Sequence, residues 1–251
     1  MRITLLGLAS LALILSLPPL ASAQSQATTS QPASGGFFVS PTAYNINPAN
    51  SNTSQVRFEN RTGSSTQFRV EVMQWTQVNG QNVYSPTRDV VANPATFTLA
   101  PQQAQVIRVG VLKRVGSDEL TYRVFVNQLP PTAEASALSN PTDVQVQVNR
   151  LARISLPVYL TPAASTSRLS YAARTGPDSI NLEITNTGNR HLTLRQVSVE
   201  LDGKKVTLGS LAVLGNSMLS VPLGVTTTGN MTLSYFNADA KEIRETVSIS
   251  P

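Results

Sequence analysis

The sequence predicts an all-β protein built as two sandwiches. Three observations predict it. Short runs rich in Val, Ile, Phe and Tyr alternate apolar with polar residues, turn dipeptides break them at short intervals, and no segment keeps a helical apolar stripe over several turns. Composition agrees: 41% hydrophobic residues are enough for a core, whereas 13% charged residues are few for an intracellular enzyme and suit an exported β-rich chain.

Met1-Arg2 is cationic, Ile3–Leu20 is almost wholly apolar, and Ala21-Ser22-Ala23 supplies the small residues of a cleavage site. This pattern predicts a secretory signal peptide over residues 1–23. Pro18 and Pro19 end the apolar run early for a membrane anchor, and the chain has no cysteine to carry a lipid. The mature chain is therefore expected outside the cytoplasm, with no stable membrane insertion. Gln24–Gly36 is rich in Ser, Thr, Gln and Gly and reads as a flexible leader.

Beyond it, Phe68–Val72, Val106–Val111 and Val144–Val148 alternate as half-buried strands do. Asn79-Gly80 and Asp202-Gly203 sit where hairpin turns belong. Thr132–Asn140, the best helical candidate, reads as a loop. The polar stretch Thr161–Ser167 marks a short hinge between a block over 37–162 and a second over 167–251. Ile180–Ile184, Leu192–Leu194, Val197–Leu201 and Ile243–Ile249 give the second block its strands. Each block has the size of an immunoglobulin-like sandwich.

Composition also excludes chemistry. With no cysteine and one histidine, thiolate metal sites, cysteine nucleophiles and His-dependent triads have no material to work with. No enzyme, metal or cofactor is expected. A net charge of +5 without a Lys/Arg cluster interleaved with aromatics gives a mildly basic surface rather than a nucleic-acid site. Asp118-Glu119 reads as a solvated turn, His191 as a strand-end residue, Trp75 as core, and Arg108 as a partly exposed strand residue.

Thr142–Leu160 stands apart. It reads as one strand of about 19 residues, where about 5–6 is usual. Val144, Val146, Val148, Ile154, Leu156 and Val158 share one parity, with Arg150 interrupting the face. A strand that outruns its sheet leaves an open edge, which templates pairing with another chain. On geometry alone the favoured reading is an ordinary central strand bulged at Arg150.

Val39-Ser40-Pro41-Thr42, Phe58-Glu59-Asn60, Val70–Gln77, Tyr84-Ser85-Pro86-Thr87, Asn93–Pro101, Val106–Val109, Thr121–Val124, Gln128–Pro131 and Ile154–Tyr159 follow one another in order. This ordered set resembles the first domain of periplasmic pilus-assembly chaperones of the chaperone–usher system. The resemblance covers roughly 37–162; over 167–251 it rests on length and β pattern. It implies two immunoglobulin-like domains set in an L with a cleft between them. It also implies donor-strand complementation, in which an inserted strand completes a pilin subunit until an outer-membrane usher exchanges it. Pilin subunits and the usher are the implied partners, with self-association when the edge is free. Val144, Val146, Val148, Ile154 and Leu156 are the implied donor side chains.

In the better-known branch of that family, two basic residues bind the subunit's terminal carboxylate. Here their positions hold Ala43 and either Ser155 or Pro157. Tyr122-Arg123, Trp75-Thr76-Gln77 and Ser155-Leu156-Pro157 instead resemble the archaic branch, which implies Arg123 as the carboxylate anchor; Arg153, just before Ile154, is the candidate second cation. Gln128 stands where the family often carries an acid, so an interdomain ion network of the better-known kind is not expected. The rival reading is an exported β-sandwich adhesin or envelope module. An adhesin would be expected to carry its own terminal donor strand and usually a disulfide.

Overall fold

A computed structural model describes residues 35–131 and 150–251. All regular elements among the described residues are strands. β1 (Phe37–Ser40), β2 (Tyr44–Ile46), β3 (Thr53–Asn60), β4 (Thr66–Val78), β5 (Gln81–Pro86), β6 (Val90–Asn93), β7 (Thr96–Leu99), β8 (Ala104–Val111), β9 (Leu120–Gln128) and β10 (Arg153–Leu160) build a first sandwich. One layer runs β1-β3-β8-β6; the other runs β2-β10-β9-β4-β5, with β7 also on β4. The alternation noted at Phe68–Val72 has its cause here: Phe68 and Val70 are buried between the layers while Arg69 is exposed. Phe37, Phe58, Phe68 and Phe97 pack ring on ring at 5.0–5.9 Å, in the edge and offset arrangements that aromatic quadrupoles favour.

The second sandwich comprises β11 (Leu169–Thr175), β12 (Ile180–Asn186), β13 (Leu192–Leu201), β14 (Lys204–Val213), β15 (Ser217–Pro222), β16 (Asn230–Phe236) and β17 (Glu242–Ser250). The ladder runs β14-β13-β16-β17-β11-β12-β15, and it folds over where β11 meets β17 through only two parallel residue pairs. Its core is separate, centred on Ile180, Leu182, Ile184, Leu194, Val199 and Leu233. The two segments Leu192–Leu194 and Val197–Leu201 are one strand. A bulge at Arg195-Gln196, with Gln196 at φ 51°, shifts the register between them. Both dipeptide turns are hairpins with positive φ at each central residue, Asn79-Gly80 joining β4 to β5 and Asp202-Gly203 joining β13 to β14.

The long strand is shorter than its pattern suggests. Arg150, Leu151 and Ala152 are not strand, and β10 begins at Arg153. The reason lies in its partner. β9 ends at Gln128 and Leu129-Pro130-Pro131 follows, and proline cannot donate to a ladder. Gln128 closes the end itself: its N–H donates to the Ala152 carbonyl at 2.9 Å and its side-chain Oε1 accepts the Ala152 N–H at 3.0 Å. Thr132–Asn140 and Val144–Val148 lie outside the described residues.

The hinge is pinned rather than loose. Arg190 N–H donates to the Thr166 carbonyl at 3.0 Å, the Asn189 side chain accepts the Thr166 N–H at 2.9 Å, and Ser165 is buried.

Candidate functional site

β10 is paired with β9 along its whole length, Arg153 opposite Asn127 through Leu160 opposite Leu120. On its other side, β2 pairs only with Val158–Leu160. The main chain of Arg153–Pro157 therefore presents an edge with no neighbour among the described residues. Its side chains split by parity. Leu156 is 4% exposed in the first core and Ile154 packs half-buried against it. Leu156 is thus not available to a partner, because the β9 register sets it opposite Val124, itself in that core. Val144, Val146 and Val148 lie outside the described residues.

The opposite parity faces outward. Arg123 sits opposite Pro157, Phe125 opposite Ser155, and Asn127 opposite Arg153, all on one face. The Arg123 guanidinium lies 3.8 Å from the centre of the Trp75 ring. Its Nε is buried with no hydrogen-bond partner, and the side chain makes no ion pair, among the described residues. Burial holds its pKa below the usual arginine value, opposed by the nearby Tyr159 and Tyr84 hydroxyls; it stays protonated regardless. Arg153 is exposed, with its guanidinium 4.0 Å over the Phe125 ring. The two cations share a face but not a site: Phe125 lies between them, and Arg123 alone lines the cleft between the sandwiches.

That cleft, about 590 Å³, is lined by Ala43, Arg123, Pro157 and Tyr159 from the first sandwich and by Arg190, His191 and Arg195 from the second. A small second cluster holds its walls together. Trp75 (1% exposed), Tyr159 and Leu214 pack with Ala43 and Ala212, so Trp75 is core, but core between the sandwiches rather than within one. Gln77 docks by both ends of its amide, donating to the Ala212 carbonyl at 2.8 Å and accepting the Leu214 N–H at 2.9 Å. At the β4–β5 turn, the Gly80 carbonyl accepts the Ser220 N–H at 2.9 Å. Gly80 has φ +78°, and a Cβ there would come within 2.6 Å of the Ser220 Cβ, so both the turn and the docking require glycine.

Glu119 is the largest departure from the sequence reading. It is no solvated turn: its side chain is 1% exposed, with Oε2 accepting the His191 backbone N–H at 2.8 Å and the ring Nδ1–H at 2.7 Å, while Thr161 donates to Oε1. Burial pushes this carboxyl up, but the His191 and Thr161 donors outweigh it and hold its pKa below the ordinary value. His191 also stacks flat on Tyr159, centroids 3.4 Å apart. An interdomain polar network therefore exists, built from Glu119 and His191. Two residues 72 apart in sequence gave no local signal of it. Burial pushes the Tyr159 hydroxyl up to about 12, with Arg123 pulling the other way.

Comparison with known proteins accords with this architecture. Residues 36–165 match the family of pili and flagellar-assembly chaperones, PapD N-terminal domain. None of the curated proteins compared matches the chain. Among solved structures, the fold is similar to the CsuC–CsuE chaperone–tip subunit pre-assembly complex from archaic Csu pili of Acinetobacter baumannii. There the identity is 16% and the TM-score 0.63, over 86% of this chain and 100% of that one. The SafB chaperone complex with SafA pilin from Salmonella enterica gives 14% identity and a TM-score of 0.58, over 85% and 96% of the two chains. The CupB2 chaperone of Pseudomonas aeruginosa gives 13% and 0.54, over 85% and 100%. At these identities the likeness is one of fold, two β-sandwich domains in sequence. The family match spans more than half of the chain, and on it the chain belongs to the pili and flagellar-assembly chaperone family.

Proposed function

We propose that this chaperone works in the periplasm, captures pilin subunits by donor-strand complementation and releases them to an outer-membrane usher. The observation that carries the reading is Arg123, a half-buried cation that among the described residues has no acid partner, held beside a β10 edge that among those residues is open from Arg153 to Pro157. A guanidinium forks onto a carboxylate in two parallel hydrogen bonds, so a subunit's terminal carboxylate is the ligand that this site suits. Once anchored there, the subunit lies against the open edge. Each main-chain hydrogen bond then contributes about 0.5–1.5 kcal/mol net, and each fully inserted aliphatic side chain about 1.5–3 kcal/mol.

Val144, Val146 and Val148 are the inserted anchors in this reading. Leu156 is not one of them, since it fills the chain's own core, and Ile154 marks the boundary between the two uses of the strand. Arg153 supplies a second cation farther along the same face. The CsuC–CsuE and SafA–SafB structures, in which a chaperone is bound to a pilus subunit, support the partner class. An open edge also accounts for self-association of the free chaperone. Export follows from the signal peptide over 1–23, and the binding cycle calls for no cofactor.

The test is periplasmic co-expression with a pilin subunit from the same gene cluster. Wild-type protein is expected to recover a 1:1 complex. Arg123→Ala is expected to lower its recovery at least about tenfold, equivalent to about 1.4 kcal/mol, with an unchanged far-UV spectrum. Undiminished recovery with that variant would overturn the anchor.

A further inference from the structure

The cleft carries more positive charge than one carboxylate needs. Arg123 lies on one wall; Arg190 and Arg195 lie on the other, contributed by the second sandwich. Among the described residues, no aspartate or glutamate lines it. Among the described residues five other cations have ion-pair partners: Arg57 and Arg61 with Glu59, Lys113 with Asp89, Arg174 with Glu183, and Arg244 with Glu242. None of the three cleft arginines has such a partner among the described residues. The nearby Glu119 gives its oxygens to His191 and Thr161 and forms no ion pair with any of the three. Arg195 is placed by the β13 bulge, where Gln196 adopts φ 51° and the register shifts. Its position is built into the fold.

Three like charges facing one space repel until an anion enters, and their field falls off over a Debye length of about 8 Å at physiological salt. A lone terminal carboxylate on Arg123 leaves the opposite wall unneutralised. The volume, about 590 Å³, is far larger than one carboxylate fills. We infer that the cleft takes a chain end bearing more than one negative charge, the terminal carboxylate on Arg123 and at least one further carboxylate, from the subunit's last residues, between Arg190 and Arg195. This rests on the reading of Arg123 as the carboxylate anchor and adds a second anionic subsite that selects among subunits.

The experiment uses the mature full chain with acetate and tricarballylate as probes, at constant ionic strength set with sodium chloride. Binding is followed through the arginine Nε–Hε resonances. Tricarballylate is expected to bind at least about tenfold more tightly than acetate. In the Arg190→Ala/Arg195→Ala double variant that advantage is expected to fall to the roughly threefold that three equivalent carboxylates give by statistics alone. Both of these exposed positions tolerate truncation without touching either core. An advantage that survives the double variant, or a wild-type advantage no larger than threefold, overturns the second subsite while leaving the anchor standing. Acetate binding that is indifferent to Arg123→Ala overturns the anchor itself.

Discussion

Arg123 acts through its setting as much as its charge. The Trp75 face under the guanidinium contributes about 0.5–2 kcal/mol of cation–π attraction, which fixes the plane of the fork. Arg123→Lys keeps the charge but loses the planar donor pair and the stacking. It is therefore expected to recover little of the subunit binding that Arg123→Ala loses, as read by co-purification yield. Recovery equal to wild type would show that charge alone suffices. The sequence singles out Arg123 through the Tyr122-Arg123 pair and the resemblance it carries. The setting of Arg123 was not legible: its Trp75 platform is set by an interdomain contact with Leu214, and its lack of an acid partner among the described residues is a property of the assembled cleft. Glu119 was misread for the same reason. A carboxylate beside Asp118 reads as solvated until a histidine from the other sandwich closes over it.

β10 buries one parity in the first core, and among the described residues its Arg153–Pro157 main chain is unpaired on one side. Its core-facing half was legible in kind, because alternation in Ile154–Val158 demands one buried face, but not in destination, since parity does not say whose core is filled. Leu156→Ala is expected to destabilise the free chaperone by about 2–5 kcal/mol through lost burial and a residual cavity, read by denaturant unfolding. Val146→Asp is expected to leave that unfolding unchanged and abolish subunit capture. If Val146→Asp destabilised the free chaperone as much as Leu156→Ala, residues 144–148 would belong to the chain's own core. Where β10 begins was hidden by its neighbour: only the prolines after Gln128 end the ladder, and no pattern within 142–160 shows it. A comparable device closes a turn in each sandwich. Fully buried Asn60 donates to the Ser64 and Leu99 carbonyls and accepts from Thr62, and Asn186 donates to the Arg190 carbonyl and accepts from Arg168 and Gly188. Asn60→Ala strands these buried groups and is expected to cost about 1–3 kcal/mol for each left unpaired, read by the same unfolding.

Over the whole molecule, the two sandwiches behave as one unit only while their interface holds. That interface is small in apolar content, with Trp75, Tyr159 and Leu214 at its centre, so polar groups carry much of it: the Gln77 amide, the Gly80–Ser220 pair, and Glu119 with His191. The last makes it sensitive to acid. Glu119 has its pKa lowered in the folded chain, so folded protein binds fewer protons there than unfolded protein. Its stabilisation is then complete above the unfolded carboxylate pKa of about 4.3 and is lost as pH falls through the lower folded value. Glu119→Gln removes this term. One amide oxygen cannot serve both the Thr161 hydroxyl and the two His191 donors, so the variant is expected to be less stable by about 1–3 kcal/mol near pH 7. That deficit is expected to shrink as unfolding is measured from pH 5 toward pH 3, where wild-type Glu119 also becomes neutral. Because His191 stacks on Tyr159 and Tyr159 lines the cleft with Arg123, loosening the pair also loosens the anchor's wall. Subunit capture by Glu119→Gln is therefore expected to fall at neutral pH even though the residue touches no ligand. A stability gap between variant and wild type that stayed constant across this pH range would show that the carboxylate's charge does not hold the sandwiches together.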